Sequence, residues 1–159
     1  TVVAPLLSLP YLTPEVSTIF RAVSKEPMET YGWPSFAAQV AAATADHPEA
    51  VAVYVSNYGE AGALDRYGSE HGLTAPVVAG QNAYRDWGPP EGTPTTVVAA
   101  GQFDTDFLER SWGRVRRIGV IDFPENVEND ETEHDAAIYL CDEPLGTWGE
   151  LWPKLSYLS

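Results

Sequence analysis

The run Val51-Ala-Val-Tyr-Val-Ser56, followed without a break by Asn57-Tyr-Gly-Glu-Ala-Gly-Ala-Leu64, restricts the fold of this chain more than any other stretch. The first half is a string of apolar, β-forming residues and reads as a buried strand. The second half turns through small residues into a helix, with Gly68 as its stop. A strand that turns directly into a helix places functional groups at the carboxyl edge of an open α/β sheet.

The same alternation continues along the chain. Upstream, Thr13 as N-cap and Pro14 at the first helical position open a helix to Lys25, with Val16, Ile19, Phe20 and Val23 at helical spacing. Tyr31-Gly-Trp-Pro34 precedes an Ala-rich helix over 35–45, striped by Phe36, Val40 and Ala43. Residues 60–68 form the helix after the first strand, and 75–79 form a second strand, completing a parallel βαβ unit. Residues 80–94 lack periodicity and read as a long functional loop. Strand 95–100, helix 104–112 with Phe107, Leu108 and Trp112 turned inward, and strand 115–121 follow. An acidic loop over 125–135 leads to strand 136–141, joined to its predecessor without a helix and therefore antiparallel to it. Thr147-Trp-Gly-Glu150 is a capping box for a last helix that Pro153 kinks or restarts. The expected fold is α/β: a three-layer, Rossmann-like or flavodoxin-like sandwich on a mostly parallel five-stranded sheet with one antiparallel edge pair. Strand order 2-1-3 at the centre puts a crevice above Asn57. Residues 13–159 form one domain, preceded by an arm over 1–12.

Charge narrows the partners. The chain of 159 residues has a formal charge of −14 and only nine Lys plus Arg, so it lacks the cationic surface a nucleic acid needs. Arg114-Val-Arg116-Arg117 is the one basic stripe. Cys141 is the single cysteine and, beside Tyr139 and Leu140, reads as a buried strand thiol. His47, His71 and His134 lie in loops without metal-ligand spacing. Asp130, Glu131, Glu133 and Asp135 lack the spacing of an EF-hand and read as a solvated acidic loop. No metal or cofactor is expected.

The turn after the first strand carries only Gly59 and Gly62, one glycine short of a dinucleotide fingerprint. Glu60 stands in the first helical turn, where a carboxylate satisfies the helix N-terminus itself and repels a phosphate. What remains is a neutral hydrogen-bonding edge of Ser56, Asn57, Tyr58 and Glu60, facing Gln81, Asn82, Tyr84 and Trp87. Amides and carboxylates that pair with hydroxyls, beside rings that cover apolar sugar faces, suit a carbohydrate. The bland reading of the same residues is that Asn57 caps the helix, Glu60 complements its dipole and Trp87 fills core. Glu60 with Asp86 would be a carboxylate pair for a free-standing hydrolase or transferase.

Three strings occur in order: Tyr31-Gly-Trp-Pro34, Ser56-Asn-Tyr-Gly-Glu-Ala-Gly-Ala-Leu64, and Gly80-Gln-Asn-Ala-Tyr84 running to Trp87-Gly-Pro-Pro90. With the closing Trp148-Gly-Glu-Leu-Trp-Pro153, they resemble the C-terminal soluble region of bacterial polytopic family 39-like glycosyltransferases, relatives of dolichyl-phosphate-mannose protein mannosyltransferases. The resemblance runs from about Pro10 onward and is most specific at Asn57–Leu64. It implies an extracytoplasmic domain at the cell membrane, attached to the transmembrane portion of the same polypeptide, with Thr1–Pro10 as the exit of a membrane helix. It further implies a parent enzyme that uses a lipid-phosphate sugar donor, whose catalytic carboxylate lies elsewhere. This region would then be non-catalytic, positioning an acceptor glycan or glycolipid or docking on the membrane portion. Gln81 departs from the pattern, since similar sequences often carry His there, and the acidic stretch 125–135 is longer than usual.

Overall fold

In the computed structural model, residues 32–122 and 135–157 are described. The expected helix over 14–25, the arm over 1–12 and most of the acidic loop 125–135 lie outside them. The elements run α1 (Trp33–Ala45), β1 (Ala52–Val55), α2 (Tyr58–Tyr67), a 3-10 turn (Gly68–His71), β2 (Val77–Ala79), α3 (Asn82–Trp87), β3 (Thr96–Gly101), α4 (Thr105–Glu109), β4 (Trp112–Val120), β5 (Ala137–Pro144) and α5 (Trp148–Leu155).

The five strands form one open mixed sheet in the order β2-β1-β3-β5-β4. β1 pairs in parallel with β2 on one side and with β3 on the other, which is the expected 2-1-3 centre. β5 runs antiparallel to β4, as expected, and also antiparallel to β3, between which and β4 it is inserted.

All four residues of β1 are buried, so both of its faces are covered. The period-2 alternation of strands sends them to two cores. Val53, Val55, Val98, Ala100, Ile138 and Leu140 pack with Phe36 and Val40 of α1 and Ala61 and Leu64 of α2. Ala52, Tyr54, Val97, Ala99, Tyr139 and Cys141 pack with Leu108 of α4, Trp112, and Trp148, Leu151 and Leu155 of α5. Small residues on α2 and β3 let helix and sheet approach closely, while three large rings, Tyr54, Trp112 and Trp148, fill the second core.

Two boundaries differ from the sequence expectation, each because a tertiary contact overrides a local signal. Residues 82–87 of the supposed loop form the helix α3. It is too short to show a period and is held from outside, by Trp152 Nε1 donating to Arg85 O at 3.3 Å. Trp112 opens β4 instead of closing the preceding helix; its ring N–H donates to Pro94 O at 3.1 Å, and the strand pairs with β5 from that residue onward. α2 ends at Tyr67 with Gly68 as its C-cap, as expected, although the Gly68 backbone is right-handed (φ −58°). The chain goes on as a 3-10 turn that ends at Gly72 (φ +81°), where Leu73 N closes on Gly68 O at 2.9 Å. Gly68 is small for another reason: a Cβ there would lie 2.9 Å from the Leu73 side chain. α5 opens behind the expected Thr147–Glu150 capping box and contains Pro153.

Cys141 is fully buried in the second core. Burial pushes its thiol up from 9.0 to about 12, with the charge of Asp142 acting in the same direction. A native pKa above the unfolded value favours the protonated, folded form. That stability is complete below about pH 9 and is lost as pH rises toward the native value. Alkylation at pH 8 should therefore proceed about a thousandfold slower in the native protein than in denaturant. Unfolding free energy measured by urea titration should decline above pH 9, and Cys141→Ala should make that decline shallower.

Candidate functional site

The carboxyl ends of β1 and β3 lie side by side, and the chain leaves β1 toward β2 on one flank while β3 lies on the other. A crevice at such a switch of direction is where open α/β sheets carry their sites. The groups that meet there come from the turn Ser56–Glu60, from Gly101 and Gln102, from Gln81 and α3, and from the segment after α5.

Asn57 is extended (φ −139°, ψ 169°) and caps α2: its Oδ1 accepts from Glu60 N at 2.9 Å. Glu60 answers with the second half of a capping box, its Oε2 accepting from Asn57 N at 3.1 Å. The same oxygen accepts from Ser56 N at 2.7 Å and Ser56 Oγ at 2.8 Å. Ser56 Oγ in turn accepts from Gln102 N at 3.1 Å, which ties the network to the end of β3. Glu60 is 0% exposed. Room for its carboxylate exists because residue 101 is glycine: φ is +125°, and a Cβ would sit 2.3 Å from Oε1. Gly101 thus answers two demands at once, a left-handed backbone and a carboxylate against its α-carbon.

The N-terminal donor of α2 at Tyr58 is also taken up within the chain, by Gln81 Oε1 at 3.1 Å. With Glu60 N bound to Asn57, two of the first three amides of α2, the groups by which a helix N-terminus holds a phosphate, are committed to side chains of the protein itself.

α3 lies against α2 through Tyr84, whose hydroxyl donates to Asp65 Oδ2 at 2.8 Å. Partial burial and, next, that hydrogen bond push the Tyr84 phenol up to about 12. Its ring meets that of Trp87 with centroids 4.5 Å apart. Trp87 is 73% exposed and Tyr58 58% exposed. Asn82 takes a positive φ of 51°, and its N–H donates to Tyr157 O at 3.3 Å.

The sequence-predicted residues are therefore brought to one edge but divide into two kinds. Asn57, Glu60 and Gln81 serve as internal caps and ties, with Glu60 sealed beneath the surface. Tyr58 and Trp87 form the outward part, Tyr84 is half-buried against the first core, and Trp87 is surface, not core. Asp86 is on the exterior, 3.5 Å from Arg85 Nε. Glu60, shut off from solvent, does not combine with it as a substrate-facing carboxylate pair.

Four residues escaped sequence reasoning. Tyr157 donates its hydroxyl to Ser56 O in a short bond and its N–H to Gly80 O at 2.8 Å. Tyr54 donates to Leu155 O at 2.7 Å. Burial raises both phenols, the neighbouring Glu60 adding to each. Gly101 and Gln102 complete the set; the glycine that ends the apolar run of β3 was the one available signal. Tyr157 reaches Ser56 across 101 positions, and no local pattern announces such a contact.

Among the described residues no group of His, Cys, Asp and Glu is placed to hold a metal ion, and no helix is long and apolar enough to cross a membrane. Comparisons with protein-family models, curated proteins and solved structures gave no match.

The carboxylate clamp should dominate local stability. Glu60→Ala leaves the Ser56 and Asn57 amides buried without their acceptor and should cost about 3–5 kcal/mol in urea unfolding. Gly101→Ala should cost a comparable amount. Asn57→Ala, which removes one cap, should cost only about 1 kcal/mol. An Asn57→Ala loss equal to that of Glu60→Ala would show that the clamp is no more than a helix cap.

Proposed function

We propose that this chain is a non-catalytic accessory domain of a membrane glycosyltransferase that uses a lipid-phosphate sugar donor. In this reading it lies at the extracytoplasmic face of the cell membrane, beside the transmembrane portion of the same polypeptide, and its α2–α3 edge holds an acceptor glycan or glycolipid. The observation that carries the proposal is the contrast between a sealed carboxylate and exposed rings. Glu60 is 0% exposed, whereas Tyr58 and Trp87, at the ends of α2 and α3, are 58% and 73% exposed. Large rings kept in water at an edge of amides and hydroxyls form a surface that can stack on sugar faces and pair with their hydroxyl groups. The burial of Glu60 speaks against the rival reading of a free-standing hydrolase or transferase built on Glu60 and Asp86. The family resemblance of the strings at 31–34, 56–64 and 80–90 supplies the membrane setting.

We further infer that the architecture is a three-layer sandwich of the Rossmann-like kind. Its support is the division of the core into two clusters, one with α1 and α2 and one with α4 and α5. The order β2-β1-β3-β5-β4 departs from the flavodoxin-like order because β5 is inserted antiparallel.

Titration of the 15N-labelled domain with mannose-containing oligosaccharides should move the backbone signals of Tyr58, Asn82 and Tyr84 and the indole signal of Trp87. Trp87→Ala should weaken that binding at least fivefold while changing stability by no more than about 0.5 kcal/mol, because the ring is exposed. If these signals stay still while the domain crosslinks to the membrane portion, the acceptor role fails and docking is its task.

A further inference from the structure

β4, nine residues from Trp112 to Val120, is the longest strand of the sheet. Among the described residues it pairs on one side only, with β5. Among the described residues no neighbouring strand takes up the backbone N–H and C=O groups of its outer edge, and an extended peptide can add to such an edge. The register shifts between Arg117 and Gly119, where a bulge twists the strand away. The regular part of the edge is thus Gly113–Arg117.

This strand concentrates the cations of an acidic molecule. Arg114, Arg116 and Arg117 are three of the nine Lys and Arg residues in a chain of net charge −14, set against Glu143 and Asp142 of the neighbouring β5. The side chains of Arg114 and Arg116 are 55% and 54% exposed; Arg114 pairs with Glu143, and Arg116 lies 3.6 Å from Asp142. Arg117 makes no ion pair among the described residues. In the ladder Arg116 stands opposite Leu140 and Arg117 opposite Tyr139. Those partners belong to different cores, so successive arginines project from the two faces of the sheet. An incoming strand would meet cations above and below its plane.

We propose that the outer edge of β4 is a docking site for an acidic, extended peptide segment of a partner protein. The ladder groups supply the main-chain bonds, and the arginines select carboxylates at adjacent positions of the incoming strand, one for each face. A second copy is disfavoured as occupant, since β4 against β4 would set arginine against arginine. The acidic charge on the rest of the molecule does not prevent the encounter, because screening acts over about 8 Å at physiological ionic strength while the arginines touch the ligand directly.

A fluorescently labelled, end-capped peptide repeating Val-Glu-Glu-Val over eight positions, which carries carboxylates on both faces of an extended strand, is the probe. Anisotropy titration against the whole chain should show saturable binding that weakens at least tenfold for the double variant Arg116→Gln/Arg117→Gln. Bound peptide should slow amide hydrogen exchange within 113–117. A control peptide of the same charge, N-methylated at every second amide, should not bind, because methylation removes the ladder donors. Equal binding of the methylated peptide would reduce the effect to charge adsorption and overturn the proposal. So would undiminished binding to the double variant, a β4-mediated dimer in sedimentation velocity, or binding that appears only after the chain's own acids at 125–135 are neutralised.

Discussion

The carboxylate of Glu60 is the point on which the candidate site depends. One oxygen gathers the end of β1, the N-cap of α2 and, through the Ser56 hydroxyl, the end of β3. A buried carboxylate is costly to desolvate, and it is tolerated here because charge-assisted donors surround it at 2.7–3.1 Å. The geometry leaves little freedom: the turn must be short, residue 101 must lack a side chain, and α2 must start at once after β1. The outward rings are carried on this frame. Tyr58 is the first residue of the helix that Glu60 secures, and Tyr84, whose ring meets that of Trp87, is tied to the same helix through Asp65.

Most of the sheet was legible because its strands are nearly continuous apolar runs, and such runs read clearly when both faces are buried. Val51–Ser56 and Thr95–Ala100 announced β1 and β3, and the glycine-bearing turn between strand and helix gave the order at the centre. The errors fell where a local signal competed with a distant partner. Trp112 continues a helical apolar pattern from Phe107 and Leu108, yet pairing with β5 draws it into a strand. α3 is six residues long, and a segment of that length owes its shape to Trp152 and Tyr157 and not to its own composition.

Within the site, the sequence distinguished residue types better than their direction. Asn57 and Glu60 three positions apart already spelled a capping box, so their inward role was available as the plainer reading. Whether Trp87 faced core or water was not available, because nothing in Asn82–Trp87 marks an apolar stripe. The tyrosines that close the network from behind, Tyr54 and Tyr157, reach Leu155 and Ser56 across 101 positions each.

That last distance bears on how the domain comes to exist. The edge at Ser56–Asn57 is not finished when β1, α2 and β2 have formed, since Gly80 and Ser56 still wait for Tyr157 to arrive from beyond α5. A nascent chain emerging from the ribosome would hold the aromatic edge open until more than a hundred further residues had been made. Bringing together points so far apart in sequence is entropically slow, which makes assembly of the candidate site a late event in folding, one that waits on the segment after α5.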